Sequence, residues 1–201
     1  MRNVWMPVAL SLVLAGCGSE TPAGGSGAGG AANEAGADVE TGAQWAVDVC
    51  KSFPAEAAGK AAGLAIAKTI PSPNVSTSGV NVSNCTYSAQ DGALFSVGFR
   101  HDTSGATTMT EAIAGLTARP DMTGPVEEVP AKVGKAFWTP RLKTLSYLPD
   151  DSRMVTVTPP GAKPGGAEPE DKAVAAAEEA ALKAKALAIA EAAAGQARPG
   201  S

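Results

Sequence analysis

Asp91-Gly92, set between two strand-like runs, constrains this chain more than any other local feature. Val82 to Ser88 and Leu94 to Arg100 flank the Gln90-Asp91-Gly92 segment. An Asp-Gly step between such runs predicts a β-hairpin, because both central residues of a type I′ turn need positive φ. In the second run Phe95, Val97 and Phe99 alternate with Ser96, Gly98 and Arg100, which gives one apolar face with a period of two. In the first run Cys85 and Tyr87 share a face.

The elements around this hairpin follow from periodicity and punctuation. Large side chains first appear at Trp45-Ala46-Val47-Asp48-Val49-Cys50, where the folded domain is expected to begin. Pro54 sits at a helix start with Glu56 favourable to the helix dipole, and the Ala-rich run predicts a helix reaching Lys68, stopped by Pro71 and Pro73. Thr69 to Gly79 reads as a polar loop. After the hairpin, Thr103-Ser104-Gly105 offers a cap to a helix whose apolar stripe is Met109, Ile113 and Leu116, ended by Arg119-Pro120. A Pro-, Gly- and acid-rich loop then leads to Val133 to Trp138. Leu142 to Leu148 and Met154 to Thr158 read as strands joined by a turn at Pro149-Asp150-Asp151-Ser152.

Pro159 to Glu170 is a Pro/Gly-rich insert, and Asp171 to Ala194 predicts a closing Ala-rich helix. Glu179 and Lys183 stand at i, i+4 in the favourable order. Val174, Leu182 and Ile189 fall on one side, but Glu178 and Lys185 interrupt the stripe, so loose docking is expected. The expected fold class is α+β: a small antiparallel sheet of four or so strands packed with helices, in one domain over 45–194, followed by a disordered tail at 195–201.

The N-terminus carries a different kind of information. Arg2 gives a positive start, Val4 to Leu14 an apolar stretch interrupted by Pro7 and Ser11, and Ala15-Gly16 the small residues a peptidase needs. The stretch is too short to span a bilayer core, which takes about 20 apolar residues. Leu14-Ala15-Gly16-Cys17 resembles the lipobox of bacterial lipoprotein precursors. That resemblance implies a signal peptide over 1–16, removal before Cys17, a diacylglyceryl group on its thiol and acylation of the new amino terminus. Two or more acyl chains anchor stably, at about 0.8 kcal/mol per buried methylene. Gly18, rather than Asp, follows the anchor, which resembles outer-membrane lipoproteins facing the periplasm. In a single-membrane cell the same anchor places the chain on the outer face of the cell membrane. Residues 17–44, poor in large apolar side chains, read as a flexible Gly/Ala-rich tether, whose root-mean-square reach is about 25 to 30 Å.

Export shapes the reading of the cysteines. With Cys17 assigned to lipid, Cys50 and Cys85 form an even set in an oxidising compartment and are expected to make one disulfide. The alternatives are two buried free thiols or a thiol pair ligating a metal. A modestly acidic chain, with formal net charge −4 and no run of Lys and Arg, is unsuited to nucleic acid or to a polybasic grip on lipid.

Cys50 ahead of a helix, Asn84-Cys85-Thr86-Tyr87, Val129-Pro130-Ala131-Lys132-Val133-Gly134-Lys135-Ala136-Phe137-Trp138 and the closing Ala-rich helix together resemble uncharacterised secreted bacterial lipoproteins, including actinobacterial families of unknown function. The likeness covers most of residues 45–194 and departs from the usual pattern at Ala131-Lys132-Val133 and in the long Pro-rich insert. It implies a small α+β sandwich with a disulfide and brings neither a catalytic residue nor an activity.

Catalytic constellations are not legible. His101 is the single histidine, flanked by Arg100 and Asp102, and successive strand residues point to opposite faces, so Asp102 is badly placed to orient the ring. One histidine is too few for a zinc site, Asp150-Asp151 reads as a solvated turn, and the Gly-rich tract does not follow a strand as a phosphate loop would. No catalytic residue, cofactor or metal ligand is expected. Phe137-Trp138 is the one aromatic pair, readable as a ligand or partner contact or as ordinary core packing. The expected function is a non-enzymatic interaction module on a tether, binding another envelope component. Two alternatives are a carrier or sensor of a small apolar ligand held by Phe95, Phe99, Met109 and Trp138, and an envelope hydrolase.

Overall fold

A computed structural model describes residues 48–196, apart from 78, 103, 106, 107, 167 and 168. The signal peptide, Cys17 and the tether lie outside the described residues, as do Trp45 and the last five positions.

The chain opens with α1 (Val49–Ser52), whose amino end is capped by the Asp48 carboxylate accepting from Lys51 N. Then comes α2 (Ala55–Ala62), which is shorter than the Ala-rich run suggests. Gly63 takes the left-handed conformation at φ 67°, and its N–H returns to the Gly59 carbonyl, closing the helix. Residues expected to continue the helix instead form β1 (Ile66–Pro71), and the expected polar loop contains β2 (Val75–Thr77). Both strands pair antiparallel with the same side of β3 (Val80–Ala89), so an open sheet edge overrides the helix propensity of the Ala-rich sequence.

The hairpin joins β3 to β4 (Leu94–Asp102) in the expected phase, with Cys85 opposite Val97 and Tyr87 opposite Phe95. Its turn differs from the type I′ expectation. Ala89 donates its N–H to the Ala93 carbonyl, and among the turn residues Gly92 alone has positive φ, at 85°. A three-residue loop ending in a left-handed glycine therefore replaces the two-residue turn.

Next, α3 (Met109–Thr117) begins at Thr108 rather than at Thr103-Ser104-Gly105, with a reciprocal capping box between Thr108 and Glu111. Ser104 and Gly105 instead donate to the Asp102 carboxylate. The one-turn α4 (Pro120–Thr123) leads to β5 (Glu127–Val129), β6 (Lys135–Thr139), β7 (Thr144–Asp150) and β8 (Arg153–Thr158). Among the described residues the sheet thus has eight strands, in the order β1-β3-β4-β8-β7-β6-β5 with β2 beside β3, against the four or so expected. Two antiparallel meanders meet where β4 pairs with β8.

The helices divide unequally between the two sheet faces. On one face Cys85, Tyr87, Phe95, Val97, Phe99, Val155, Val157, Leu145, Tyr147, Ala136 and Trp138 are buried with Val49 and Phe53 of the α1 region, Ala58 and Ala62 of α2 and the closing helix α5 (Lys172–Gln196). Three links fasten α1 to this face among the described residues: the Cys50–Cys85 disulfide, the Val49 N–H donating to Ser83 Oγ at 3.0 Å, and the Tyr87 hydroxyl, which donates to the Phe53 carbonyl at 2.6 Å. Burial, with Asp48 nearby, pushes the Tyr87 phenol well up, so this hydroxyl keeps its proton.

The closing helix docks through its second half and more firmly than its stripe suggests. Ala186, Ile189, Ala190 and Ala193 are fully buried, whereas Val174 in the first half is exposed. Alanine permits close approach of helix to sheet. An alternating chain of charges fixes the register: Lys143 bonds Glu179 at 3.1 Å, Glu179 bonds Lys183 at 3.0 Å, and Lys183 bonds Glu127 at 2.5 Å. The helix runs through Gly195 and Gln196, two residues into the expected tail.

Candidate functional site

The second face of the sheet carries the alternate residues of the same strands. Opposite-strand pairing sets them in rungs: Thr86, Ser96 and Thr158 on one, then Asn84, Gly98, Thr156, Ser146 and Phe137 on the next, then Val82, Arg100 and Met154. Among the described helices, α3 is the one packed here, and its cluster of Met109 and Ile113 with Leu148 and Met154 takes in Phe137 at the margin. Beyond that cluster Asn84 is exposed, Thr86, Ser96, Thr156 and Thr158 are half-buried, and Gly98 and Ser146 are buried. Along the β1, β2 and β4 side of this face Ile70, Val75 and Leu94 are 43%, 55% and 57% exposed.

Small polar side chains can occupy an uncovered strand because Thr keeps the β-branched preference for extended backbone without requiring apolar cover. Thr144 and Thr158 hydroxyls meet at 3.2 Å on neighbouring strands, and the Thr139 hydroxyl donates to the Thr144 carbonyl at 2.8 Å. At the centre, a Cβ on residue 98 would collide with Asn84 Oδ1, so glycine there lets the Asn84 amide lie over β4. The result is a shallow polar floor.

Phe137 and Trp138 do not act as a pair. As consecutive residues of β6 they face opposite sides: Trp138 is fully buried in the helix-covered core, and Phe137 is half-buried at the edge of the open face. Only Phe137 is placed to meet a partner. The Trp138 indole N–H is buried and has no hydrogen-bond acceptor among the described residues. The four residues expected to enclose an apolar ligand are also separated. Phe95, Phe99 and Trp138 belong to the core beneath α5, whereas Met109 packs on the other face.

His101 and Asp102 are successive residues at the end of β4, so their side chains diverge, and the Asp102 carboxylate is engaged by Ser104 and Gly105. Burial and the Arg153 guanidinium hold the imidazole below its ordinary range, outweighing Asp150 and Asp102. Asp150 lies below the usual carboxylate range although burial opposes this, because Arg153 and Ser152 donate to it. These groups brace the β7–β8 turn, together with Thr110, whose hydroxyl donates to Asp151 at 2.8 Å. Among the described residues no group of three His, Cys, Asp or Glu side chains is gathered for a metal ion.

Sequence reasoning singled out Phe137 on this face and missed the hydroxyl floor. The missed signal is the set of residues alternating with the core: Ser96, Gly98 and Arg100 between Phe95, Val97 and Phe99, and Thr156 and Thr158 beside Val155 and Val157. Compared with known proteins, the chain matches no family model, no curated protein and no solved structure.

Proposed function

We propose that this protein is a lipid-anchored envelope lipoprotein that works as a non-catalytic binding module, with the open sheet face as its contact surface. The observation that carries the reading is the asymmetry of the sheet: one side is closed by α1, α2 and α5, while the other leaves Ile70, Val75 and Leu94 exposed around a floor of Ser, Thr and Asn. Exposed apolar residues grouped on one face beside polar ones mark an interaction surface. The anchor is read from Leu14-Ala15-Gly16-Cys17, and no described helix is long and apolar enough to cross a membrane.

The test has two independent parts. Fatty-acid labelling and membrane retention should both be lost in Cys17→Ala; labelling that persists removes the anchor. A photo-crosslinking residue at position 94, on the open face of the full-length protein in cells, should capture a discrete partner, and one at exposed Lys60 on α2 should not. Equal capture from both positions, or none from position 94, removes the face as the contact surface.

A further inference from the structure

Four basic side chains are half-buried among the described residues: Arg100, Lys143, Arg153 and Lys183. Three of them have a carboxylate partner, since Lys143 and Lys183 join the chain through Glu179 and Arg153 pairs with Asp150. Arg100 has none among the described residues, and its buried Nε–H has no hydrogen-bond acceptor among them. Leaving a desolvated charged donor unmatched is costly, and native proteins satisfy such groups or reserve them for function.

The position of Arg100 makes the second explanation specific. It stands on the open face of β4, opposite Val82 and Met154 and one rung from Asn84, Gly98, Thr156 and Ser146. Asp102, the nearest carboxylate along the strand, directs Oδ1 to Ser104 N, Ser104 Oγ and Gly105 N at 2.8, 2.6 and 3.1 Å. The neighbouring rungs supply neutral donors: the Asn84 amide and the Ser96, Thr156 and Ser146 hydroxyls. Ser146, on the rung next to Arg100, is 3% exposed. On this rung the nearest carboxylate residue is Glu128, two strands beyond Ser146 and opposite Phe137, and the absence of a side chain at Gly98 lets the exposed Asn84 amide lie over β4.

From this we propose that Arg100 anchors an oxyanion, phosphate or carboxylate, carried by the ligand that docks on the open face, with Asn84 and the Thr156 and Ser146 hydroxyls completing its hydrogen bonds. A guanidinium presents parallel donors that match two oxygens of either group, and charge-assisted bonds of this kind are about twice as strong as neutral ones. The proposal rests on the reading of that face as the contact surface and adds the chemistry it selects.

Full-length lipidated protein, solubilised in micelles, is titrated with inorganic phosphate and separately with acetate while the Arg100 Nε–H and the Gly98 and Thr156 amide resonances are followed. Saturable shifts at these positions are expected with at least one anion, and the tighter of the two identifies the source of the oxyanion. Arg100→Gln should weaken that binding at least tenfold and Asn84→Ala by a smaller factor. Arg100→Lys, which keeps the charge and stem, should retain part of it and serves if Arg100→Gln fails to fold. The proposal is overturned if neither anion gives saturable shifts, or if the shifts persist unchanged without the guanidinium. Crosslinking from position 94 separates the two claims: capture that survives without anion binding removes the oxyanion and leaves the contact face standing.

Discussion

The two faces of this sheet are built from the same strands, one residue out of phase, and they meet opposite demands. Val97, Val155, Val157, Leu145 and Trp138 are fully buried under α1, α2 and α5, whereas Ser96, Thr156, Thr158 and Thr144 alternate with them on the uncovered side. Burial at about 25 cal/mol per Å² of apolar surface places most of the stabilisation on the first face. The second face contributes strand propensity and hydrogen bonds, with apolar burial confined to the smaller cluster of Leu148 and Met154 under α3. Away from α3, its polar side chains are therefore less constrained by packing than those of the covered face.

Trp138→Ala tests that division most severely. Emptying a fully buried indole site should destabilise the domain by about 3 to 5 kcal/mol, measured by denaturant unfolding. Phe137→Ala, one residue along but on the other face, should cost clearly less; equal losses would mean that α3 and the open face carry as much of the fold as the helix-covered core. Removing the disulfide by Cys50→Ala with Cys85→Ala should cost about 3 to 4 kcal/mol, since a link across 35 residues restricts the unfolded chain. A loss well under about 1 kcal/mol would show that the Tyr87 hydroxyl and the packing of Phe53 hold α1 on the sheet without it.

The α5 charge chain sets a pH window for docking on the covered face. Burial alone would raise Glu179, but bonds from Lys183 and Lys143 outweigh it and hold the carboxyl below its ordinary 4.5. Its contribution is therefore complete above pH 4.5 and is lost as pH falls through the lowered value. Lys183 is the mirror case: burial opposes the charge, yet Glu127 and Glu179 raise it above 10.5, so its contribution is complete below pH 10.5 and is lost as pH climbs through the raised value. Thermal unfolding of Glu179→Gln should show a smaller loss of stability on acidification than the parent chain. An unchanged acid limb would place the sensitivity elsewhere.

The covered face was far more legible in the sequence than the open one. Phe95, Val97 and Phe99 alternate strictly and follow Asp91-Gly92, so both the hairpin and its apolar side could be read directly. β1 was hidden because the Ala-rich run extends helix propensity past Gly63, and only pairing with β3 makes Ile66–Pro71 a strand. In β6 the adjacency of Phe137 and Trp138 looked like one aromatic patch, although a strand sends them to opposite sides. The docking of α5 was underestimated because its contact residues are alanines, which add almost no amphipathic signal. Nothing in a single Ser, Thr or Arg announces the open floor; it exists only when register aligns Asn84, Gly98, Thr156 and Ser146 across four strands.

The smallest expected effects fall on that open side. Leu94→Ser removes an apolar side chain that is already 57% exposed, so stability should change by no more than about 0.5 kcal/mol while partner capture from a crosslinking residue at position 70, on the same face, weakens. Gly98→Ala is the finer probe. The backbone at Gly98 lies outside the positive-φ region, so alanine gains by restricting the unfolded chain, an effect of about 0.4 to 1 kcal/mol. Against that gain, the new Cβ must displace the Asn84 amide, whose exposed side chain can swing away at small cost. The two effects nearly cancel in stability but not in shape, because the methyl group and the displaced amide now occupy the floor. Unchanged unfolding with lost capture from position 94 would assign Gly98 to recognition; a loss above about 2 kcal/mol would instead assign it to packing between β3 and β4.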